Sequence, residues 1–213
     1  MALPKPQVYF TPEEYYALER QTEEKNEYFQ GEIFAMSGST TRHARIGTNL
    51  LGELHASLKG KRCTPLNGDQ RIKVSASGLR TYPDASVFCG PMEYDPEDSQ
   101  RDTATNPTML FEVLSDSTEG YDRGRKSENY RKIVSLQAYA LISQDRPHIE
   151  LFERQEDEHW RLTEASGTTT SLELACIGVD LRLEDVYARV EFDEIPPLTR
   201  VKEDVLRYRS EAR

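Results

Sequence analysis

The sequence predicts a mixed α/β protein, with a sheet flanked by helices. Three observations carry this. Ile46, Leu50, Leu51, Leu54 and Leu58 recur at helical spacing and make one apolar stripe. Short strand-like runs fill the middle of the chain, among them RIKV, ASVFC, LFEVL and AYALI. A second helical segment, from about Asp122 to Ser135, falls between the last two of these runs, so helices and strands alternate through one core.

Taken in order, Thr11-Pro12-Glu13-Glu14 is a helix start, with Thr11 as cap, proline in the first turn and Glu14 at the capping-box position. That helix should reach about Gln21. EYFQGEIFAMSG reads as a small hairpin turning at Gln30–Gly31. The striped helix spans 42–59, capped by Thr40 or Thr41 and ended by Gly60. Strand-like runs follow around Arg71–Val74 and in TYPDASVFCG. A loop rich in Pro and Asp runs from Gly90 to about Asn106, and PTMLFEVLS is the next apolar strand. Ser115 to Gly120 is a turn. After the second helix, Ala138–Ile142 is a core strand, and HIELFERQ with HWRLTEAS forms a hairpin. A short helix is expected at 183–188. The boundaries are one domain over 1–190 and a charged tail over 191–213.

Composition narrows the classes. No run approaches the roughly 18 apolar residues of a membrane span, and the N-terminus lacks a signal-type apolar core, so a cytoplasmic protein is expected. Cys63, Cys89 and Cys176 are far apart and make no CxxC pair, which argues against structural zinc and a disulfide framework, and for cysteines acting as small buried hydrophobes. The net charge of −10 speaks against nucleic acid, but residues 33–90 carry eight bases against three acids. That segment is either a basic patch or scattered solvated charge.

The chemistry starts from two misplaced acids. Asp84 opens the apolar run ASVFC, and Glu112 interrupts LFEVL. Alternation puts Leu110, Glu112 and Leu114 on one face. Two carboxylates on adjacent core strands repel unless paired, protonated or bridged by a cation. Hard oxygen donors suit Mg2+ or Mn2+, and no small organic cofactor is expected. Metal-assisted phosphodiester hydrolysis also needs a nearby cation, and the helix after Glu112 offers Lys126. The plain alternatives are a turn aspartate for Asp84, a satisfied buried ion pair for Glu112 and an i,i+4 partner of Asp122 for Lys126. Gln70 is a further candidate to approach from a neighbouring strand. The tyrosines of the first helix read as core, not as a base-stacking platform.

YPDASVFC, FEVLSDST and YDRGRKSENYRKI, with FTPEEYYAL, NEYFQGEIFAMSGST and RHARIGTNLLGEL ahead of them, together resemble the PD-(D/E)XK nuclease superfamily. Within it they are most similar to the Uma-two-type restriction endonuclease family, over roughly residues 9–190. The resemblance implies a restriction-endonuclease-like core with N-terminal helix and hairpin additions, and metal-dependent cleavage of DNA. Asp84 and Glu112 match the two metal-holding acids. The superfamily lysine, two residues after the second acid, is Leu114 here, and Lys126 on the following helix matches its displaced counterpart. Glu32 matches a third acid near the site, and His43 a base or phosphate contact. Arg42, Arg45, Arg123 and Arg125 are candidates to track the phosphate backbone. By analogy with nucleases that cut both strands, a homodimer is expected, touching through the C-terminal tail or the N-terminal hairpin. Two readings compete: a weakly catalytic nucleic-acid-binding module, and an assembly protein on the same fold whose acid pair is structural.

Overall fold

The computed structural model describes residues 9–192, except 37 and 158. The tail expected at 191–213 therefore lies outside the described residues from 193 onward. No described helix is long and apolar enough to cross a membrane.

Helix α1 (Pro12–Glu19) starts as its sequence dictates. Thr11 accepts from the Glu14 backbone N–H, and Glu14 accepts from that of Thr11. Strands β1 (Asn26–Phe29) and β2 (Glu32–Ala35) form the expected hairpin. Gln30 and Gly31 both adopt positive φ at its turn, the conformation that a two-residue hairpin loop requires. Helix α2 (Thr41–Leu58) is capped by the Thr40 hydroxyl and buries Ile46, Leu50, Leu54 and Leu58. Each buried aliphatic of that stripe is worth about 1.5–3 kcal/mol in apolar burial.

Strands β3 (Cys63–Asn67), β4 (Arg71–Val74), β5 (Leu79–Thr81) and β6 (Ala85–Cys89) make one long antiparallel ribbon, β3 pairing β6 and β4 pairing β5. The ribbon bends at 68–70 and 82–84, and its two halves join different sheets. Pro83 sits at that bend, where no ladder hydrogen bond is needed. With β7 (Thr103–Ala104), β8 (Met109–Val113), β9 (Ala138–Ile142), β10 (His148–Arg154) and β11 (Trp160–Ser166), these strands build the two larger sheets. Their orders are β2-β1-β5-β4-β7 and β11-β10-β9-β8-β6-β3. Within the larger sheet β8 and β9 run parallel and the other pairs antiparallel. Ala85, Val87, Phe111 and Val113 pack on one face of it, with α2. Phe88, Leu110, Leu114 and Tyr139 pack on the other.

Several expectations are corrected. The helix near 122–135 is shorter and interrupted. It comprises α3 (Glu119–Tyr121), a π-helical turn (Asp122–Lys126) and α4 (Ser127–Tyr130). The Arg154 guanidinium donates to the carbonyls of Arg131, Ile133 and Leu136, so these groups are satisfied without further helix. A second small hairpin, β12 (Ser171–Leu174) with β13 (Val179–Arg182), escaped the sequence reading and precedes the expected short helix, α5 (Leu183–Val186).

Cys63 and Cys89 are not separate thiols. They face each other in the β3–β6 register and are disulfide-bonded, while Cys176 is free. A spacing of 26 residues gave no hint of this pairing, which the register of the ribbon imposes.

Three of the eight bases in the central segment are committed to ion pairs within the fold. Arg80 pairs with Asp95 and Glu97, Lys73 with the same two acids, and Arg71 with Asp98. These bases pin the acidic loop 91–102 to the smaller sheet. Tyr15 and Tyr16 are buried against them, as core. Gln70 donates to the carbonyls of Arg71 and Asp102, so its amide serves this loop and not the predicted site.

Candidate active site

The bend in the ribbon explains why an acid stands at the mouth of β6. Ala85 pairs with Phe111, so the next step of the register brings Asp84 opposite Glu112. Asp84 Oδ2 accepts from the backbone N–H of Val113, 2.7 Å away, which fixes the carboxylate against the end of β8. Both acids share the face of Leu110 and Leu114, which alternation predicted for Glu112. Two like charges directly opposite each other on a sheet are unfavourable by themselves.

The π turn supplies the counter-charge. Lys126 Nζ lies 2.8 Å from Glu112 Oε1, 3.4 Å from Glu27 Oε1 and 3.5 Å from Asp122 Oδ1. All four side chains are buried, and the Tyr130 hydroxyl donates to Glu112 Oε1 at 2.7 Å. The expected i,i+4 contact with Asp122 is thus present, but the shortest ion pair of Lys126 is with Glu112. A π turn adds a residue to the helical repeat and re-aims the side chains that follow it, a device frequent at functional sites.

The electrostatics express an excess of acid. Burial works against the Lys126 charge, but Glu112, Tyr130, Glu27 and Asp122 outweigh it and hold its pKa well above the ordinary lysine value. Burial pushes the Glu112 carboxyl well up, Asp122 and Asp84 add to this, and Lys126 opposes it. Asp122 is raised for the same reasons, burial first. His43, in the first turn of α2, places Nε2 3.3 Å from Asp84 Oδ2. Burial disfavours its charge, yet the bond to Asp84 prevails and its pKa is raised.

Glu27 is the residue the sequence reading missed. It lies on β1, accepts from the hydroxyls of Thr81 and Tyr121, and reaches Lys126. Glu32 shares its face of the hairpin, paired with Phe29 nearer the turn, and is half-buried. The available signal was the one that exposed Glu112: an acid inside a strand, here NEYF.

Of the four arginines, Arg123 forks onto Glu150 at 2.7 and 2.8 Å and also donates to Glu119. Arg42 lies 3.6 Å from Asp145, Arg45 donates to the Arg189 carbonyl, and Arg125 lies over the Phe29 ring. A surface cavity of about 490 Å3 is found elsewhere, beside Arg20, Lys25, Asp69 and Tyr94, and neither acid of the opposed pair nor Lys126 lines it.

Comparison with known proteins supplies the class to which this α/β fold, with its opposed carboxylates and buried lysine, belongs. The chain belongs to the Uma2 family, described as "Putative restriction endonuclease", whose profile matches residues 12–184. Two relatives come from Synechocystis sp., both uncharacterized. Slr1290 is 35% identical over 85% of this chain and 93% of its own. Sll1609 is 33% identical over 78% and 92%. A crystal structure of "a putative nuclease belonging to DUF820" from Anabaena variabilis superposes with a TM-score of 0.64. That match has 17% identity and covers 78% of this chain and 91% of the other, and it shows the same fold.

Proposed function

We propose that this protein is a metal-dependent endonuclease hydrolysing phosphodiester bonds of DNA, with Asp84, Glu112 and Lys126 at its centre. The observation that carries the reading is Lys126 Nζ at 2.8 Å from Glu112, on the face where Asp84 stands opposite. A lysine displaced to the helix thus reaches the second acid despite Leu114.

The residues fit a divalent ion of the Mg2+ or Mn2+ type. Asp84 and Glu112 offer hard oxygen donors from opposed positions, and Asp84, Glu112, Glu27 and Asp122 outnumber Lys126 and His43. When bound, the ion would polarise the scissile phosphate and acidify an attacking water. Lys126 would meet the negative charge that builds on the phosphoryl oxygens, with Glu27, Asp122 and Tyr130 holding it in place. His43, oriented by Asp84, is placed in the role of base or phosphate contact. Glu32 is assigned a supporting role on the same hairpin face as Glu27. Arg42, Arg45 and Arg125 are proposed as phosphate contacts, and Arg123 as a contact only if it releases Glu150.

A homodimer would let two such sites cut both strands. The edge position of β2 and the exposed Phe34 and Met36 beside it support the N-terminal hairpin as the contact. The cytoplasmic setting is likewise part of this proposal, and it requires the Cys63–Cys89 bond to withstand a reducing environment.

Calorimetric titration of Mn2+ into wild type and Asp84→Asn tests the site. One binding event in wild type, lost in the variant, is expected. Equal binding by both proteins would remove Asp84 from the metal site. Metal binding with no cleavage of DNA would favour the binding-module reading.

A further inference from the structure

The pairing of strands extends the acidic row beyond the proposed active site. Glu112 pairs with Leu141, Leu141 with Glu150, and Glu150 with Glu164. Paired residues share a face, so Glu150 and Glu164 stand on the same side of the sheet as Glu112, across β9. At about 4.8 Å per strand, Glu150 is roughly 10 Å from Glu112. The π turn answers each part of the row, with Lys126 over Glu112 and Arg123 over Glu150.

His148, two residues before Glu150, joins this second cluster. Its Nδ1 shares a 2.8 Å hydrogen bond with Ser166 Oγ, which fixes the ring. Its Nε2 lies 3.4 Å from Glu150 Oε1 and 3.4 Å from Glu164 Oε1. The His148 side chain is only 7% exposed, and its Nε2 is aimed at both carboxylates. One ligand atom from each of the three residues falls within 4.8 Å of the others. Bonds of about 2.0–2.1 Å around a tetrahedral ion put its ligands about 3.3 Å apart, which the two nitrogen–oxygen separations match.

We propose that His148, Glu150 and Glu164 form a second metal site, selective for a zinc-like transition ion over Mg2+. An imidazole with two carboxylates is a borderline donor set, unlike the all-oxygen pair at Asp84 and Glu112. Ser166 behind His148 and Arg123 behind Glu150 hold the ligands from outside, as partners of metal ligands do. Each Glu150 oxygen has two lone pairs, so it can accept from Arg123 and still bind an ion. His148 also lines a cavity of about 200 Å3, together with Arg123, Ser143 and Arg146.

The test is titration of Zn2+, then of Mg2+, into wild type, Glu164→Gln and Asp84→Asn, with thermal unfolding of each. Glu164 is exposed, so its substitution leaves the core intact. Expected is one tight Zn2+ event in wild type and Asp84→Asn, weakened at least about 100-fold in Glu164→Gln, beyond what loss of an outer partner costs. Zn2+ should raise the unfolding temperature of wild type and Asp84→Asn only, and Mg2+ should not compete for this event. His148→Gln, checked for folding by circular dichroism, should lose the same event. Unchanged Zn2+ binding in Glu164→Gln, or loss of the event in Asp84→Asn, would overturn the site. Because Asp84→Asn removes the proposed nuclease metal, failure of the one site is distinguishable from failure of the other.

Discussion

Replacing Lys126 with methionine keeps the volume and removes the charge from a cluster in which three carboxylates lie within 3.5 Å of the ammonium. Both Lys126 and Glu112 side chains are about 5% exposed or less, so solvent screens the pair little. Removing one partner of such a pair costs about 3–5 kcal/mol. For a chain of this size, 1 kcal/mol shifts Tm by about 2–4 °C, so Lys126→Met should lower it by about 6–20 °C at neutral pH. The sign with pH follows from Glu112. Its pKa in the folded protein is raised, so its stabilising contribution is full below the ordinary carboxyl value and lost as pH rises through the folded one. Without Lys126 that loss deepens. The deficit should therefore shrink as pH falls towards about 4–5, where the acids protonate in either state. Mn2+ or Mg2+ should restore more stability to the variant than to wild type, because an ion replaces the missing charge. Circular dichroism melts across pH, with metal and with chelator, measure all of this. A Tm within about 2 °C of wild type at every pH would refute a lysine held by buried acids.

Other consequences are separable. The His43 pKa is raised by Asp84, so the pair's contribution is full below about pH 6.5 and is lost as pH rises through the folded value. His43→Gln should then destabilise at about pH 6 and be neutral well into alkaline solution, and a pH-independent effect would contradict the pairing. The Cys63–Cys89 bond closes a span of 26 residues, for which chain entropy gives about 3.5 kcal/mol. Cys63→Ser should lose about that much in urea unfolding, and reductant should bring wild type to the same level; no response to reductant would mean that the bond does not form. Arg80→Met leaves Asp95 buried with Lys73 alone, and should cost about 3–5 kcal/mol while leaving metal affinity at Asp84 unchanged.

Local rules carried much of the fold. The capping box at Thr11, the turn at Gln30–Gly31 and the stripe of α2 are all decided within a few residues. Alternation in LFEVL put Glu112 on the face of Leu110 and Leu114, where the structure has it. What could not be read depends on register and on distant partners. The disulfide needs Cys63 and Cys89 aligned across a bent ribbon. The π turn and the early end of α4 depend on packing and on Arg154 of β10, and no local signal encodes either. Whether the basic run over 33–90 was a patch or scattered charge stayed open because the acidic loop that pairs Arg71, Lys73 and Arg80 lies later in the chain. Glu27 was passed over for Glu32 because the alternation of so short a strand does not say which acid meets a helix about a hundred residues on.

The most direct measurement is nicking of supercoiled plasmid by wild type, Glu112→Gln and Lys126→Met, with Mg2+ or Mn2+ and with chelator. Expected is metal-dependent nicking by wild type that falls by at least about 100-fold in each variant, the scale on which an oriented electrostatic partner acts. Nicking by Glu112→Gln or Lys126→Met at the wild-type rate, or no nicking by wild type with either ion, would contradict a single carboxylate–lysine nuclease site in this protein.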